Sequence, residues 1–360
     1  ILGTLFTAIS SRTKYKSVIG AILPIVVIIG LLVLVGQFSL TEGQITLEML
    51  VDFAELITSI ISSIHPPAIW LGNMMLGNGI SKGILFAIGT FVALSVTVYL
   101  IGNNFNTICQ QLYSTAAKHE FTMGQQKQRN LIVSLCKKEL QRYFASSVYL
   151  SNTIVGPILA VVMAGTLLFV DLEEAFRSFP IEIDVVGIVP LAIGTTFCIM
   201  NTTSTSISME GKEWWLIKTL PLTTKEILDG KLIMNVLVFA PFYIASVVLM
   251  WVVLRPVGLD LLWTIASPAV LIVFSCVWGI TANLKFPSFS WENETTVVKQ
   301  SASALVGGLC SALFGIAGII LLILVPREYR YICKVTMAIA LMGVTIALYF
   351  KNNKVNLEKL

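Results

Sequence analysis

Eight stretches of the sequence are continuously apolar over the length that a helix needs to cross a membrane, about 20 residues. They cover residues 17–36, 83–101, 148–170, 184–203, 232–254, 261–281, 302–325 and 332–350. Only 12% of the 360 residues are charged and 56% are hydrophobic, whereas soluble domains carry about 25% charged residues. Because every backbone group must be paired inside hydrocarbon, such stretches form helices. The sequence predicts an all-α, polytopic membrane protein with eight transmembrane helices.

The basic residues indicate the orientation of these helices. If residues 1–16 are cytoplasmic, 18 of the 24 lysines and arginines fall on the cytoplasmic side. The other six are Lys82, Arg177, Arg255, Arg327, Arg330 and Lys334. Cytoplasmic loops of membrane proteins are enriched in basic residues. We therefore expect both ends of the chain to be cytoplasmic.

No pattern typical of catalysis or cofactor binding is recognisable in the sequence. The six cysteines show no CxxC spacing, and His65 and His119 lie far apart, so no metal site is expected. The G-x-x-x-x-G-K-[ST] motif of a phosphate-binding loop is absent, as are the acid and base clusters that a membrane-embedded enzyme needs. We expect a protein that is not an enzyme, holds no cofactor and binds no nucleic acid.

Two polar stretches separate some of the spans. Residues 38–82 carry apolar residues at helical spacing and predict a helical insertion on the extracytoplasmic side, and residues 102–130 predict a cytoplasmic linker. The next segment, residues 131–146, is predicted to be an amphipathic helix. Its apolar face consists of Ile132, Leu135, Cys136, Leu140, Tyr143 and Phe144, and its polar face of Ser134, Lys137, Lys138, Gln141 and Arg142. The basic side is predicted to face lipid headgroups, although a solvated linker helix has the same pattern.

A compact charged block, "EGKEWWLIKTLPLTTKEILDGK" at residues 210–231, lies between two apolar windows on the cytoplasmic side. Thr223 and Glu226 have the spacing of a capping box, so we expect a helix to start there and continue into the membrane. Pro221 separates this helix from a short one that carries Trp214 and Trp215. Such aromatics are either interfacial anchors or contacts for another protein, and the mixed charges around them favour a protein contact.

The order of these elements resembles the permease subunits of ABC-2-type ATP-binding-cassette exporters, in particular the large permeases of Gram-positive bacteria. The resemblance rests on an amphipathic helix, six spans, and a block of the type E-G-K-x-x-W-x-x-K-x-L-P between the second and third of them. A second block, "FPSFSWENETTVVKQS" at residues 286–301, is similar to the segment that precedes the fifth span in such proteins. The resemblance covers residues 131–351.

The resemblance implies that the block between spans docks on a separate ATPase chain, while the amphipathic helix lies against it as a connecting helix. The implied docking residues are Glu210, Gly211, Lys212, Trp214, Trp215, Lys218, Leu220 and Pro221. The implied connecting-helix residues are Lys137, Lys138, Glu139 and Arg142, and the implied cytoplasmic loop contacts are Pro287, Trp291, Glu292 and Glu294. The chain would then be an exporter subunit in the bacterial cytoplasmic membrane, with membrane lipids and the ATPase as partners.

The resemblance also divides the chain. Residues 131–351 are expected to form the six-helix permease unit, and residues 352–360 a cytoplasmic tail. Residues 1–101 would hold the last two helices of a first half, so that the chain is expected to be incomplete at its N-terminus. The substrate class stays open between a lipid, a peptide and an amphipathic drug. Two other functions are considered: an ABC-type membrane sensor, and a secondary transporter, which needs ionisable groups at mid-membrane depth.

Overall fold

The computed structural model of the chain describes residues 55, 58–59, 67–75, 77, 80–114, 130–169 and 183–357. These residues form helices and turns without any strand, which confirms the predicted all-α class. Seven helices in this part of the chain are long and apolar enough to cross a membrane. The first of the eight predicted spans, residues 17–36, lies outside the described residues. The chain divides into two compact units.

The first unit comprises residues 1–8 and 44–128, of which two helices are described, α1 (Pro67–Met75) and α2 (Ile80–Ser114). The two helices approach closely, since a Cβ added to Gly83 would lie 2.0 Å from Met74 Sδ. The span predicted at residues 83–101 lies within α2. This helix continues to Ser114, into the stretch predicted as a linker, because no proline interrupts it there. Most of the predicted insertion at residues 38–82 lies outside the described residues.

The second unit comprises residues 9–43 and 129–360. Its described helices are α3 (Leu131–Ala145), α4 (Ser147–Thr153), α5 (Val155–Thr166), α6 (Val185–Ile199), α7 (Trp214–Thr219), α8 (Thr224–Leu254), α9 (Leu259–Lys285), α10 (Glu294–Gln300), α11 (Ala302–Leu324) and α12 (Arg330–Asn352). Short 3-10 turns lie at Thr202–Ser204, Ser208–Glu213 and Arg327–Tyr329. Six of the seven candidate spans follow the connecting helix α3, and the first of these six is built from α4 and α5.

Helix α9 lies at the centre of this unit and packs against α6, α8, α11 and α12. Its apolar window is 56% buried, whereas that of α12 is 11% buried. Helix α12 consequently lies at the periphery and presents most of its side chains outward. The burial of α9 follows from its sequence, in which small and polar residues such as Ser275, Gly279 and Asn283 allow close packing.

Side chains cap several helix ends, where backbone N–H groups have no partner within the helix. Ser146 ends α3 and caps α4, because its Oγ accepts a hydrogen bond from Tyr149 N at 3.1 Å. The capping box predicted for α8 is confirmed: the Glu226 carboxylate accepts from Thr223 N at 2.8 Å, and Thr223 Oγ1 accepts from Glu226 N at 3.3 Å. Helix α8 then runs without a break from the charged block into the membrane.

Candidate functional site

A buried polar segment follows α6. The sequence predicted an apolar helix up to residue 203, but α6 ends at Ile199, and residues 201–210 (NTTSTSISME) are all buried. Serine, threonine and asparagine side chains compete with the helical hydrogen bonds of the backbone. The helix is therefore replaced by 3-10 turns. The run of hydroxyl side chains was the sequence signal for this break.

Two buried asparagines from neighbouring helices hold the segment. Asn235 Oδ1 of α8 accepts a hydrogen bond from Thr202 N at 2.9 Å. Asn283 Oδ1 of α9 accepts from Ile207 N at 2.7 Å and from Ser208 N at 3.1 Å. Both asparagine side chains are fully buried. Since an unpaired buried backbone group is costly, these contacts determine where the non-helical chain lies.

Glycines let the neighbouring helices approach this segment. A Cβ added to Gly279 of α9 would lie 2.4 Å from Asn201 Oδ1 and 2.4 Å from Thr203 Oγ1. A Cβ added to Gly307 of α11 would lie 2.5 Å from Ser204 Cβ. Both distances are shorter than a nonbonded contact allows. Helices α9 and α11 thus enclose the segment tightly.

Glu210, at the end of the polar segment, is the centre of an ionic cluster. Its carboxylate lies 2.9 Å from Lys231 Nζ of α8 and 3.0 Å from Lys138 Nζ of α3, and it also pairs with Arg142 of α3. Lys231 Nζ lies 2.8 Å from Oε1 of Glu139. Lys231 is 2% exposed and Glu210 6% exposed. The cluster therefore joins α3, the polar segment and α8. Because Lys231 and Glu210 are almost completely buried, few water molecules can compete for these contacts.

The cluster corrects the orientation predicted for the connecting helix α3. Its residues Lys138 and Arg142 were expected to face lipid headgroups, but both turn toward Glu210, whereas Lys137 is exposed. Burial lowers the pKa of Lys138, and the attraction of Glu210 offsets this effect only in part. Burial also raises the pKa of Tyr143 to about 12. Two of the three basic residues of α3 thus serve an internal contact.

The adjacent tryptophans of α7 lie in different environments. Trp214 is 4% exposed and stacks on Phe289, with ring centroids 5.3 Å apart and an interplanar angle of 15°. Trp215 is 58% exposed. Leu216 and Leu220, on the same segment, are 45% and 48% exposed. Trp214 is consequently a packing residue, and Trp215 belongs to an exposed aromatic and aliphatic surface.

The implied docking residues divide into two sets. Lys212, Trp215, Lys218, Leu220 and Pro221 are exposed, whereas Glu210, Gly211 and Trp214 are buried. A shallow cavity of about 500 Å³ lies at the exposed set and is lined in part by Lys212, Trp215 and Lys218. We call the exposed set the α7 surface. Gly211 and Trp214 also line this cavity, but most of the area that another protein could contact belongs to the α7 surface.

The second sequence block packs against the polar segment. Trp291 Nε1 donates a hydrogen bond to Ser208 O at 2.8 Å, and the Trp291 ring covers Gly211, whose φ of +58° favours glycine. Glu294 accepts a hydrogen bond from Ser146 Oγ, beside the connecting helix. Two further residues predicted for this loop differ in exposure: Pro287 is half-buried and Glu292 is exposed.

A second ionic cluster, which sequence reasoning missed, lies at the opposite ends of the spans. Lys334 Nζ of α12 lies 2.9 Å from Asp184 Oδ2, before α6, and 3.0 Å from Asp260 Oδ1 of α9. Lys334 is 4% exposed. Tyr331 Oη donates to Asp260 Oδ2 at 3.1 Å. The cluster ties together three spans that are distant in sequence, and the acid-base spacing along the chain contains no signal for it.

In the described part of the chain, histidine, cysteine, aspartate and glutamate side chains form no group of three that could hold a metal ion. The features from which we assign a function are the exposed α7 surface, the buried polar segment and the ionic cluster of Glu210. They all lie at one end of the second unit, where α6 ends and α8 begins.

Comparison with known proteins assigns the chain to a family. No curated protein and no solved structure matches the chain. The sequence model of a family described as "Membrane protein of 12 TMs" matches residues 1–351. Twelve spans are twice the six predicted for residues 131–351. With seven candidate spans in its described residues and a match over nearly its whole length, the chain belongs to this family of twelve-span membrane proteins.

Proposed function

We propose that this multi-pass membrane protein is the transmembrane subunit of an ABC exporter in the bacterial cytoplasmic membrane. A separate ATPase chain docks on the α7 surface and supplies the energy. The substrate is a lipid, a peptide or an amphipathic drug-like molecule. Both ends of the chain then lie in the cytoplasm, on the side of the ATPase.

The observation that carries this proposal is the two-sided structure of the segment 210–221. One side is the exposed α7 surface, with Trp215 at 58% exposure between two exposed lysines, Lys212 and Lys218. Large, half-exposed aromatic side chains flanked by charges are typical of contacts between proteins. The other side is anchored inside the permease through Glu210 and Trp214. A segment built in this way is suited to transmit a movement from a partner to the spans.

Two sets of contacts connect the segment 210–221 to the rest of the second unit. The Glu210 cluster connects the segment to the connecting helix α3 and to α8. The Trp214–Phe289 stack and the Trp291–Ser208 hydrogen bond connect it to the loop before α10. Since packed ionic and aromatic contacts are rigid, a displacement of α7 by the ATPase would shift these helices together.

The proposal is tested by co-expressing the chain with a candidate ABC ATPase subunit from the same genome and measuring the affinity of the purified pair. Replacing an exposed aromatic contact residue by alanine costs about 2 kcal/mol of binding, or roughly thirtyfold in affinity. We expect this loss, together with loss of coupled ATP hydrolysis, for Trp215→Ala. Trp251→Ala is the matched control, because Trp251 is 55% exposed on α8 but lies near the other end of that helix.

Two outcomes would contradict the proposal. If Trp215→Ala binds the ATPase with wild-type affinity and only loses thermal stability, Trp215 is a membrane anchor. If reconstituted vesicles move substrate without ATP, the protein is a secondary transporter. An ABC-type sensor would bind the same ATPase but move no labelled lipid or peptide, so a transport assay on the reconstituted complex separates it from an exporter.

A further inference from the structure

The chain turns directly after the last span. Val355 N donates a hydrogen bond to Asn352 O at 3.1 Å, which closes a turn at the end of α12. Beyond this turn Val355 is half-buried and Leu357 is 7% exposed, whereas Lys354 is exposed. We call residues 353–357 the return segment. The tail predicted from residue 352 onward therefore begins with side chains that pack against the second unit.

The return segment contributes to an apolar cluster beneath α7. Leu357 belongs to the same cluster of buried apolar side chains as Trp214 and Ile217, which are the buried residues of α7. The other buried members lie before α7, in the first turns of α8 and near the end of α9: Ile207, Ile227, Leu228, Ile280 and Leu284. Since a buried leucine removes apolar area from water, Leu357 stabilises the cluster against which the inner side of α7 packs.

Two hydrogen bonds join the end of α12 and the return segment to α8. Thr224 Oγ1, in the first turn of α8, donates to Val355 O at 3.0 Å. Tyr349 Oη of α12 donates to Asp229 Oδ1 of α8 at 2.8 Å. Only residues 220–223 separate α8 from α7. The return segment is therefore bound to the helix that directly follows α7.

The same end of α12 is also bound to α9. Asn352 Nδ2 donates to Thr281 Oγ1 at 2.9 Å and to Val277 O at 3.4 Å. Asn352 is 4% exposed, although most of α12 lies at the periphery. Helix α12 is thus attached to α8 and α9 at the end that carries the return segment.

We propose that the return segment holds α7 in position and links the α7 surface to the last span. Helix α7 has only six residues, and a helix this short is not stable without tertiary contacts. Leu357 supplies one of these contacts through the apolar cluster, and the Thr224–Val355 hydrogen bond fixes the segment that carries it. The functional part of this inference rests on the proposed docking of an ATPase. A displacement of α7 by that ATPase is then passed to α12 as well as to α3 and α8.

The first test is amide hydrogen exchange, measured by mass spectrometry on the purified full chain in detergent without an ATPase. We expect Leu357→Ala to raise the exchange rate of peptides that cover residues 214–219 about tenfold, which corresponds to about 1.4 kcal/mol of local opening free energy. Leu357→Met keeps the volume of the side chain and should exchange like the wild type. The faster exchange of Leu357→Ala then follows from the lost apolar contact.

The control for this test is Leu322→Ala, because Leu322 is fully buried in a different apolar cluster, near the last residue of α11. It should lower the melting temperature without raising exchange selectively in residues 214–219. An equal rise for Leu322→Ala, or no rise for Leu357→Ala, would overturn the proposal. If Leu357→Ala does not fold, Thr224→Val decides. It removes the hydrogen bond to Val355 O and should raise the same exchange about threefold, and the absence of any rise would overturn the proposal equally.

The second test uses the complex with the ATPase and separates this inference from the proposed function. The α7 surface is unchanged in Leu357→Ala, so we expect the ATPase to bind this variant with wild-type affinity but to lose the stimulation of its ATP hydrolysis by the permease. Full stimulation would overturn the link to the last span. If Trp215→Ala keeps its ATPase while Leu357→Ala raises the exchange of α7, the proposed docking fails and the positioning of α7 stands.

Discussion

Lys231 Nζ, on α8, lies 2.9 Å from Oε1 of Glu210, and both side chains are almost completely buried. The two residues are 21 positions apart in sequence, and the α7 surface lies between them along the chain. The pair thus closes the base of the segment that we propose to contact an ATPase. The contact joins the start of that segment to α8.

Glu210→Gln is expected to destabilise the protein. Removing one member of a buried ion pair commonly costs about 3–5 kcal/mol, because the other charge stays buried. Since Glu139 remains beside Lys231, we expect the low end of this range, measured as the free energy of unfolding in detergent. Glu213→Gln is the control, because Glu213 lies in the same turn but is exposed. Equal losses for both variants would show that the Glu210 cluster contributes little.

Trp214→Ala should lower stability by about 3–5 kcal/mol, as expected when a large buried aromatic side chain is removed. Trp214→Phe should be far milder, because it keeps a ring against Phe289 and removes an indole Nε1 that has no hydrogen-bond partner among the described residues. Thermal unfolding in detergent measures both. The idea that Trp214 is a packing residue fails if Trp214→Ala unfolds at the wild-type temperature.

Lys334→Met is expected to weaken the packing of α6, α9 and α12 at the ends of these helices that carry Asp184, Asp260 and Lys334. The variant leaves Asp184 and Asp260 facing each other without their shared cation, and the loss should be about 3 kcal/mol in unfolding free energy. Lys351→Met, at the exposed other end of the same helix, should have little effect. Changing both aspartates to asparagine in the Lys334→Met background should recover part of the loss, because no unpaired buried charge then remains. A further loss in this triple variant would speak against the ionic explanation.

The orientation of the spans is testable by cysteine labelling in intact cells. We expect a membrane-impermeant thiol reagent to reach Glu328→Cys, which lies exposed between α11 and α12, but not Lys225→Cys, which lies exposed at the start of α8. The unmodified chain measures the background from the native cysteines, of which Cys136, Cys198 and Cys276 are buried and Cys310 and Cys333 are half-buried. Labelling of Lys225→Cys alone would show that the topology is the reverse of the proposed one, because the basic residues would then lie outside.

In the described part of the chain, the positions of several spans could be predicted from the sequence to within a few residues. The predicted stretches 302–325 and 332–350 correspond to Ala302–Leu324 and Arg330–Asn352, and the capping box at Thr223 lies where its spacing predicted it. These features depend on residues that are close along the chain. The apolar length of a segment and the caps at its ends are local properties, so a local pattern suffices to predict them.

The residue at which α6 ends, and the directions in which the two tryptophan side chains of α7 point, could not be predicted in the same way. Helix α7 has only six residues, too few for a periodic pattern, so nothing local distinguishes Trp214 from Trp215. The difference arises because Phe289, from the loop before α10, covers only Trp214. The polar segment after Ile199 likewise becomes favourable only when Asn235 and Asn283 supply its missing hydrogen bonds.

By itself, the sequence determined that this is a helical membrane protein, where its spans run, and where one compact charged block interrupts them. Only the tertiary structure decided which charges of that block are internal and which are available to a partner. Glu139 and Lys231 are 92 positions apart, so sequence spacing does not reveal that they form a pair. Buried charges are tolerated only when an opposite charge lies beside them, and which residues become neighbours depends on how the helices pack.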